Sequence, residues 1–71
     1  MPSSVIRWFD YDPDHTALDV TFVSGRRYRY YDVPPMLAER FRRATSKGQF
    51  FNTRIRNRFD YRELAGNRTL N

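Results

Sequence analysis

The 71-residue chain contains no cysteine and only one histidine. A secreted domain of this length usually needs disulfides to compensate for its small core, so the absence of cysteine favours a reducing compartment. Residues 1–4 lack the basic stretch and the long apolar run of a signal peptide. No window approaches the roughly 18 consecutive apolar residues of a membrane span. These absences predict a cytoplasmic protein with no membrane partner.

The usual catalytic and metal-binding residue sets are also missing. With no thiol and one imidazole, at His15, a Cys–His pair or a zinc site would need unusual substitutes. Asp10, Asp12 and Asp14 alternate like the start of a calcium loop, but His15 and Thr21 stand where an EF-hand needs glycine and glutamate. We therefore expect no enzyme activity, no metal and no cofactor, and interpret the aspartates as turn-forming residues.

Aromatic residues are abundant, at 17% of the chain. A domain this short buries only about 60% of its unfolded surface, so its core must consist of large side chains. Each aromatic ring can bury about 150–250 Å². We expect most of the rings to be structural.

The first segment of the chain is rich in β-branched and aromatic residues, and the two segments that follow alternate apolar and polar residues, as half-buried strands do. The pattern predicts strands over Val5–Tyr11, Thr16–Val23 and Arg27–Asp32, with a turn at 12–15 between the first two. The second and third strands are predicted to join through a three-residue loop, Ser24–Arg26, which contains a left-handed glycine.

The side chains of this hairpin should divide between two faces of the sheet. In the predicted register Tyr28 lies opposite Phe22 and Tyr30 opposite Val20, on the face that the helices cover, because a one-residue slip would bury Arg29 instead. The other side of the sheet, the open face, should carry Asp19, Thr21, Arg27, Arg29 and Tyr31.

Two helices are predicted after the sheet. Pro35 suits the first turn of a helix over Pro35–Ala44. Ser46–Gln49 matches a capping box that would start a second helix over Lys47–Arg58, although Lys47 beside exposed N–H groups could also hold an anion there. The fold class is thus α+β: a three-stranded antiparallel β-meander followed by two helices packed on one face, β-β-β-α-α.

The segment beyond Tyr61 is predicted to fray, because it contains glycine and polar residues. A single domain over residues 1–64 and a flexible tail over residues 65–71 are therefore expected.

Charge is divided unevenly along the chain. Residues 1–39 hold four arginines against six acids, whereas residues 40–71 hold nine basic residues against two acids. Arginine offers a planar donor group that suits phosphate and stacks on rings. A basic second half indicates an acidic partner, unless it serves only as a solvated surface.

Two groups of cations are candidates for contacts with phosphate. Arg54, Arg58 and Arg62 recur every fourth residue and would form a stripe if the second helix ran that far, and Arg40, Arg43 and Lys47 surround the turn between the helices. Like charges four residues apart on a helix cost a few tenths of a kcal/mol per pair. An anionic partner would offset that cost, without conferring sequence specificity.

The aromatic and basic residues of the third strand allow two interpretations. Tyr28 and Tyr30 could stack on RNA bases, or could pack beneath the helices with their hydroxyls at the rim. On the open face, Arg27, Arg29 and Tyr31 could contact a ligand, or could form ordinary cross-strand pairs such as Arg29 with Asp19.

The order of these short motifs resembles the KTSC domain, a family named for the C-terminal extension of some lysyl-tRNA synthetases. The resemblance runs from Ser3 to about Phe59. Its motifs are Ser3-Ser4 with Ile6, Tyr11-Asp12, Leu18 with Val20 and Phe22, Ser24-Gly25, Tyr28-Arg29-Tyr30, Asp32-Val33-Pro34, Ser46-Lys47-Gly48 and Phe50-Phe51-Asn52 with Ile55. The resemblance implies an RNA-binding module and nothing catalytic.

Two functional hypotheses follow. The first is a sequence-tolerant module that binds RNA or another polyanion through its arginine-rich surface. The alternative is a protein-interaction module that docks on an acidic protein partner. The sequence leaves the oligomeric state open, since an exposed edge strand could pair with another copy.

Overall fold

A computed structural model describes residues 6–64 of the chain. The elements are β1 (Ile6–Asp12), β2 (Ala17–Phe22), β3 (Arg27–Tyr30), α1 (Pro35–Arg43), α2 (Lys47–Phe50), a π-helical segment (Phe51–Ile55) and β4 (Tyr61–Leu64). The strands form one antiparallel sheet in the order β1-β2-β3-β4. The α+β class is confirmed, but the sheet has four strands and not three.

The core lies between one face of this sheet and the helices. Alternation places Leu18 and Val20 of β2 and Tyr30 of β3 on that face, where all three are buried. The helical segments contribute Phe41 and Ile55, which are fully buried against them. Since the helices cover a single face, the open face predicted from the sequence remains available on the other side.

The hairpin between β2 and β3 differs from its predicted register by two residues. Phe22 N donates to Arg26 O at 2.9 Å, so the three-residue loop is Val23–Gly25 and not Ser24–Arg26. Gly25 has φ 96°, the left-handed conformation that the last position of such a loop requires. Tyr28 consequently lies opposite Val20, and Tyr30 opposite Leu18. A shift of two residues keeps every side chain on its predicted face.

Helix α1 matches its predicted position and ends one residue earlier. Pro35 occupies the first turn, where a missing N–H is harmless. Ala38 and Phe41 are the buried residues of the helix. Ser46 caps α2 by accepting a hydrogen bond from Gln49 N at 3.2 Å, which agrees with the predicted cap.

The second helical region ends three residues before the predicted Arg58. After Phe50 the helix widens into a π turn, which Arg56 N closes by donating to Phe51 O at 2.8 Å. Asn57 then adopts φ 65°, a left-handed conformation that asparagine tolerates better than most residues and that often ends helices. The chain therefore turns back toward the sheet at Asn57.

Residues 62–64, which were predicted to fray, form β4 together with Tyr61. The strand pairs with β3 in the register Tyr30 with Tyr61 and Arg29 with Arg62. Strand pairing satisfies backbone groups of β3 that would otherwise form an edge. The predicted flexible tail, 65–71, lies outside the described residues. No helix within residues 6–64 is long and apolar enough to cross a membrane.

A long-range hydrogen bond joins β1 to the segment before α1. The Tyr11 hydroxyl donates to Val33 O at 2.6 Å. We expect Tyr11→Phe to lower the free energy of unfolding by about 1–2 kcal/mol, because the Val33 carbonyl loses its side-chain donor. Urea unfolding measures the change. Tyr31→Phe is the matched control, since the Tyr31 hydroxyl makes no hydrogen bond within residues 6–64. Equal losses in both variants would contradict this role.

Candidate functional site

A cleft of about 500 Å³ opens between the sheet and the π-helical segment. Its apolar wall consists of aromatic rings from β2, β3, β4 and the π-helical segment: Phe22, Tyr28, Tyr30, Phe51 and Tyr61. Its polar rim consists of Arg26, Asn52, Arg56 and Asn57. We call this feature the tyrosine cleft.

The rings of the cleft are held in contact with one another. The centroid of the Tyr61 ring lies 5.6 Å from that of Tyr28 and 5.4 Å from that of Tyr30. Tyr30 in turn packs edge-on against Phe51, with centroids 5.4 Å apart. Tyr30 is only 4% exposed, whereas Tyr61 is 57% exposed. A buried layer thus supports an accessible ring at the mouth of the cleft.

The hydroxyl of Tyr30 remains protonated at neutral pH. Burial is the main cause that raises the pKa of Tyr30 to about 12; the neighbouring hydroxyls of Tyr61 and Tyr28 contribute to the rise, and the Arg56 guanidinium opposes it. A neutral phenol can donate a hydrogen bond to an acceptor in the cleft.

The rim of the cleft is cationic. Arg56 Nη1 donates to Asn52 Oδ1 at 3.3 Å, which joins two rim residues one helical turn apart. Arg26, from the β2–β3 loop, has a carboxylate nearby: its Nε lies 3.8 Å from Glu63 Oε2. No carboxylate lies within 4.0 Å of the Arg56 side chain among residues 6–64. The rim therefore carries two guanidinium groups and one nearby acid.

Tyr28 and Tyr30, the predicted stacking pair, share the helix-covered face. Tyr30 belongs to the buried core, and Tyr28 is half-buried against it. Packing under the helices is thus the correct interpretation for Tyr30. Tyr28 packs against the core and, like Tyr30, lines the cleft.

The open face carries a row of charges across all four strands. Asp10 lies opposite Asp19, Asp19 opposite Arg29, and Arg29 opposite Arg62. Arg29 donates to both carboxylate oxygens of Asp19, from Nε at 2.7 Å and from Nη2 at 3.0 Å. Arg29 is thereby engaged in the cross-strand pair that was one of its two predicted interpretations, and Asp19 raises its pKa.

The other open-face candidates surround this pair. Arg27 is half-buried opposite Thr21, and Tyr31 is half-buried with its N donating to Asp60 O at 2.9 Å. Trp8, which was not a predicted site residue, also lies opposite Thr21 and is 67% exposed.

The cations between the helices differ in their partners. Arg43 Nε lies 3.1 Å from Glu39, and Arg42 also binds that carboxylate, at 2.7 Å. Both guanidinium groups lower the pKa of Glu39, and the hydrogen bond from Arg42 is the largest cause. Lys47 Nζ donates to Ala44 O at 2.7 Å, near the C-terminal end of α1, where a cation is favourable. Arg40 is exposed, with no carboxylate within 4.0 Å in residues 6–64.

The predicted stripe of Arg54, Arg58 and Arg62 does not form, because the helix ends at Ile55. Arg54 lies on the π-helical segment, with its guanidinium carbon 5.7 Å from the centroid of the Phe50 ring. Arg58 lies in the following turn, with its N donating to Ile55 O at 3.1 Å. Arg62 is in β4, on the open face opposite Arg29. The three residues thus occupy three different elements.

Asp12 and Asp14 belong to the turn near His15, as predicted, whereas Asp10 lies within β1. Asp12 accepts hydrogen bonds from Asp14 N at 3.0 Å and from His15 Nδ1 at 2.8 Å, and the His15 bond is the main reason that its pKa is lowered. Among residues 6–64 no group of three or more metal-binding side chains converges on one point.

Comparison with known proteins agrees with this architecture. Residues 2–59 match the KTSC domain. The chain belongs to the KTSC domain family. A KTSC domain protein from Yersinia pestis, of known crystal structure, superposes with a TM-score of 0.81 at 37% identity and covers 90% of both chains.

Curated relatives of this KTSC domain fall into two kinds. A lysine–tRNA ligase from Nostoc punctiforme is 40% identical over 62 residues, which cover 87% of this chain and 11% of the ligase. An uncharacterised protein from Stutzerimonas stutzeri is 42% identical over 52 residues, 73% of each chain. The KTSC domain thus spans about a tenth of the ligases that it matches.

In this KTSC domain, only Tyr28 and Tyr30 among the cleft residues were predicted site residues. The rim residues Arg26, Asn52, Arg56 and Asn57 and the wall residue Tyr61 were not singled out from the sequence. They converge only because the π turn and β4 return the chain to β3. One signal was available, since Asn57 is a suitable helix stop. Tyr61–Leu64 does not alternate, because its two polar residues, Arg62 and Glu63, are adjacent.

Proposed function

We propose that this KTSC domain is a sequence-tolerant RNA-binding module. The observation that supports it most is a set of cations without nearby acids. No acid occurs between Arg40 and Arg58. Within residues 6–64, five cations of that stretch have no carboxylate within 4.0 Å: Arg40, Lys47, Arg54, Arg56 and Arg58.

Uncompensated arginines favour a phosphate backbone for a physical reason. Each phosphate contact releases condensed counterions, which gives affinity that does not depend on base sequence. A guanidinium group binds phosphate through two parallel hydrogen bonds. The relatives lend support, because lysine–tRNA ligases, by their name, act on an RNA.

The test is the affinity of the full chain for short labelled single-stranded RNAs, measured by fluorescence anisotropy at several salt concentrations. Contacts to about four phosphates should make affinity fall about 50-fold between about 50 and 200 mM salt. RNAs of different sequence should bind within about tenfold of one another. Absence of binding at low salt, or an affinity indifferent to salt, would refute the proposal.

A double variant locates the contacts. We expect Arg54→Ser with Arg58→Ser to lower affinity about tenfold and to reduce the salt slope by about 1.4, because two phosphate contacts are lost. The control, Arg7→Ser with Arg42→Ser, removes the same formal charge from β1 and from the Glu39 pair. Equal effects in the two doubles would assign binding to net charge alone.

The alternative is docking on an acidic protein partner, which the exposed Trp8 on the open face favours. A pulldown from cell lysate, with and without nuclease, separates the two functions. RNA binding predicts that nuclease removes the captured material, whereas the alternative predicts one dominant protein that resists nuclease.

A further inference from the structure

We propose that the tyrosine cleft holds one unpaired base of a bound RNA, so that this domain prefers single-stranded RNA to duplex. The inference rests on the RNA-binding function proposed above, and it specifies which part of the RNA the cleft recognises, a single unpaired base. The volume of about 500 Å³ lies within the range of small-molecule pockets and exceeds what an isolated side chain would fill.

The aromatic wall offers a surface for stacking. Tyr61 is 57% exposed, and its ring is supported from within by Tyr30, whose ring plane is inclined by only 31° to it. Tyr28 extends the wall at a centroid distance of 5.6 Å from Tyr61. Since these contacts already fix the rings, little side-chain freedom is lost when a base stacks on them. Stacking of this kind accepts any base.

The polar rim offers partners for the rest of a nucleotide. Asn52 accepts from Arg56 through Oδ1, so its amide N–H groups face no competing partner within residues 6–64 and can donate to a base edge. Arg26, from the β2–β3 loop, and Arg56, which follows the π-helical segment, line the same cleft. A phosphate joined to the stacked base would meet at least one guanidinium group there.

The arrangement distinguishes single strands from duplexes. A base in a duplex is stacked on its neighbours and paired, so its ring faces are not accessible. Only an unpaired base can reach the Tyr61 ring. The cleft should therefore add affinity for single strands, while phosphate contacts elsewhere serve both forms equally.

The experiment compares a single-stranded RNA with a duplex of the same length, using the full chain and two matched variants. Tyr61→Leu removes the exposed ring of the cleft, and Trp8→Leu removes an exposed ring on the opposite face of the sheet. We expect Tyr61→Leu to weaken single-strand binding about tenfold and duplex binding less than about twofold. Trp8→Leu should change neither.

A further variant keeps the proposal testable if Tyr61→Leu does not fold. Glu63 is the acid nearest to Arg26, at 3.8 Å, and is half-exposed. Glu63→Gln should strengthen single-strand binding about two- to threefold, because a competing carboxylate leaves the cleft rim. Titration of adenosine monophosphate should shift the NMR signals of the Tyr28 and Tyr61 rings in the unmodified protein.

The outcomes separate the two proposals. The cleft assignment would be overturned, and RNA binding left intact, if the original protein bound single strand and duplex equally and if Tyr61→Leu had the same effect on binding as Trp8→Leu. Failure of both RNA forms to bind at low salt would overturn the RNA-binding function, and the cleft assignment with it. If an acidic peptide shifted the tyrosine signals and the nucleotide did not, the cleft would belong to a protein ligand and the inference would be wrong.

Discussion

Replacing Phe41 with alanine should lower the free energy of unfolding by about 3–5 kcal/mol. Phe41 is fully buried, and its ring lies 4.7 Å from that of Phe9 and 5.8 Å from that of Phe50. It therefore joins α1 to β1 and to α2 through two ring contacts. A domain of this length has a total stability of only about 4–10 kcal/mol, so the variant should lose a large fraction of it.

The same helix provides the control. Met36 is 69% exposed, and Met36→Ala should change the stability by less than about 0.5 kcal/mol. Urea unfolding followed by circular dichroism measures both variants. A loss below about 1 kcal/mol in Phe41→Ala would mean that the surrounding rings close the cavity, and that this core is less tightly packed than the structure indicates.

The sequence was sufficient for the elements whose pattern is local. β-branched and aromatic residues identified β1. Alternation identified β2 and β3 and the face of every hairpin ring, because period-two burial is unambiguous when one face is covered. Pro35 fixed the start of α1 and Ser46 that of α2. The register error at Gly25 shows the limit. Moving a three-residue loop by one residue shifts the strand pairing by two, which buries the same set of side chains.

The remainder could not be predicted because it depends on contacts between distant segments. β4 has only four residues, three of them exposed, so its apolar pattern is weak. β4 forms because the backbone of β3 is available for pairing. Intrinsic strand propensity does not reflect such a contact between distant segments. The early helix end likewise reflects the packing of Phe51 and Ile55 against the sheet, where the π turn begins and ends.

These non-local features are the ones that build the candidate site. The predicted stripe assumed a continuous helix through Arg62, and the π turn with Asn57 distributes its residues over three elements. The same turn brings Asn52 and Arg56 to the tyrosine rings. The sequence therefore predicted tyrosines and arginines as candidate site residues, but not which of them line one cleft.

The structure also separates the cations by their freedom to bind a ligand. Arg29, Arg42 and Arg43 are engaged with carboxylates of their own chain, and moving them to a phosphate would expose Asp19 or Glu39 to a nearby anion. Arg54 and Arg56 have no such partner within residues 6–64. The proposed RNA contacts consequently centre on the π-helical segment rather than on α1.

Alkaline pH should destabilise the fold through Tyr30. Burial raises the pKa of this hydroxyl from 10.0 to about 12 in the folded protein. Because the pKa of Tyr30 is higher in the folded state than in the unfolded state, the stability that this group contributes is fully present below about pH 10, where both states are protonated. It is lost as the pH rises through 12, since the unfolded chain ionises first. The expected loss is about 2–3 kcal/mol across that interval.

Tyr30→Phe tests this origin of the alkaline loss. The variant removes the ionisable hydroxyl and keeps the ring that packs against Phe51, so its stability near neutral pH should stay within about 1 kcal/mol of the original. Its stability should then fall less steeply between about pH 10 and 12, by most of the 2–3 kcal/mol assigned to Tyr30. Urea unfolding at each pH provides the comparison, with the neutral measurement as the control for packing. Parallel losses in the two proteins would show that Tyr30 ionises as readily in the fold as in the unfolded chain, and that its hydroxyl is accessible to water.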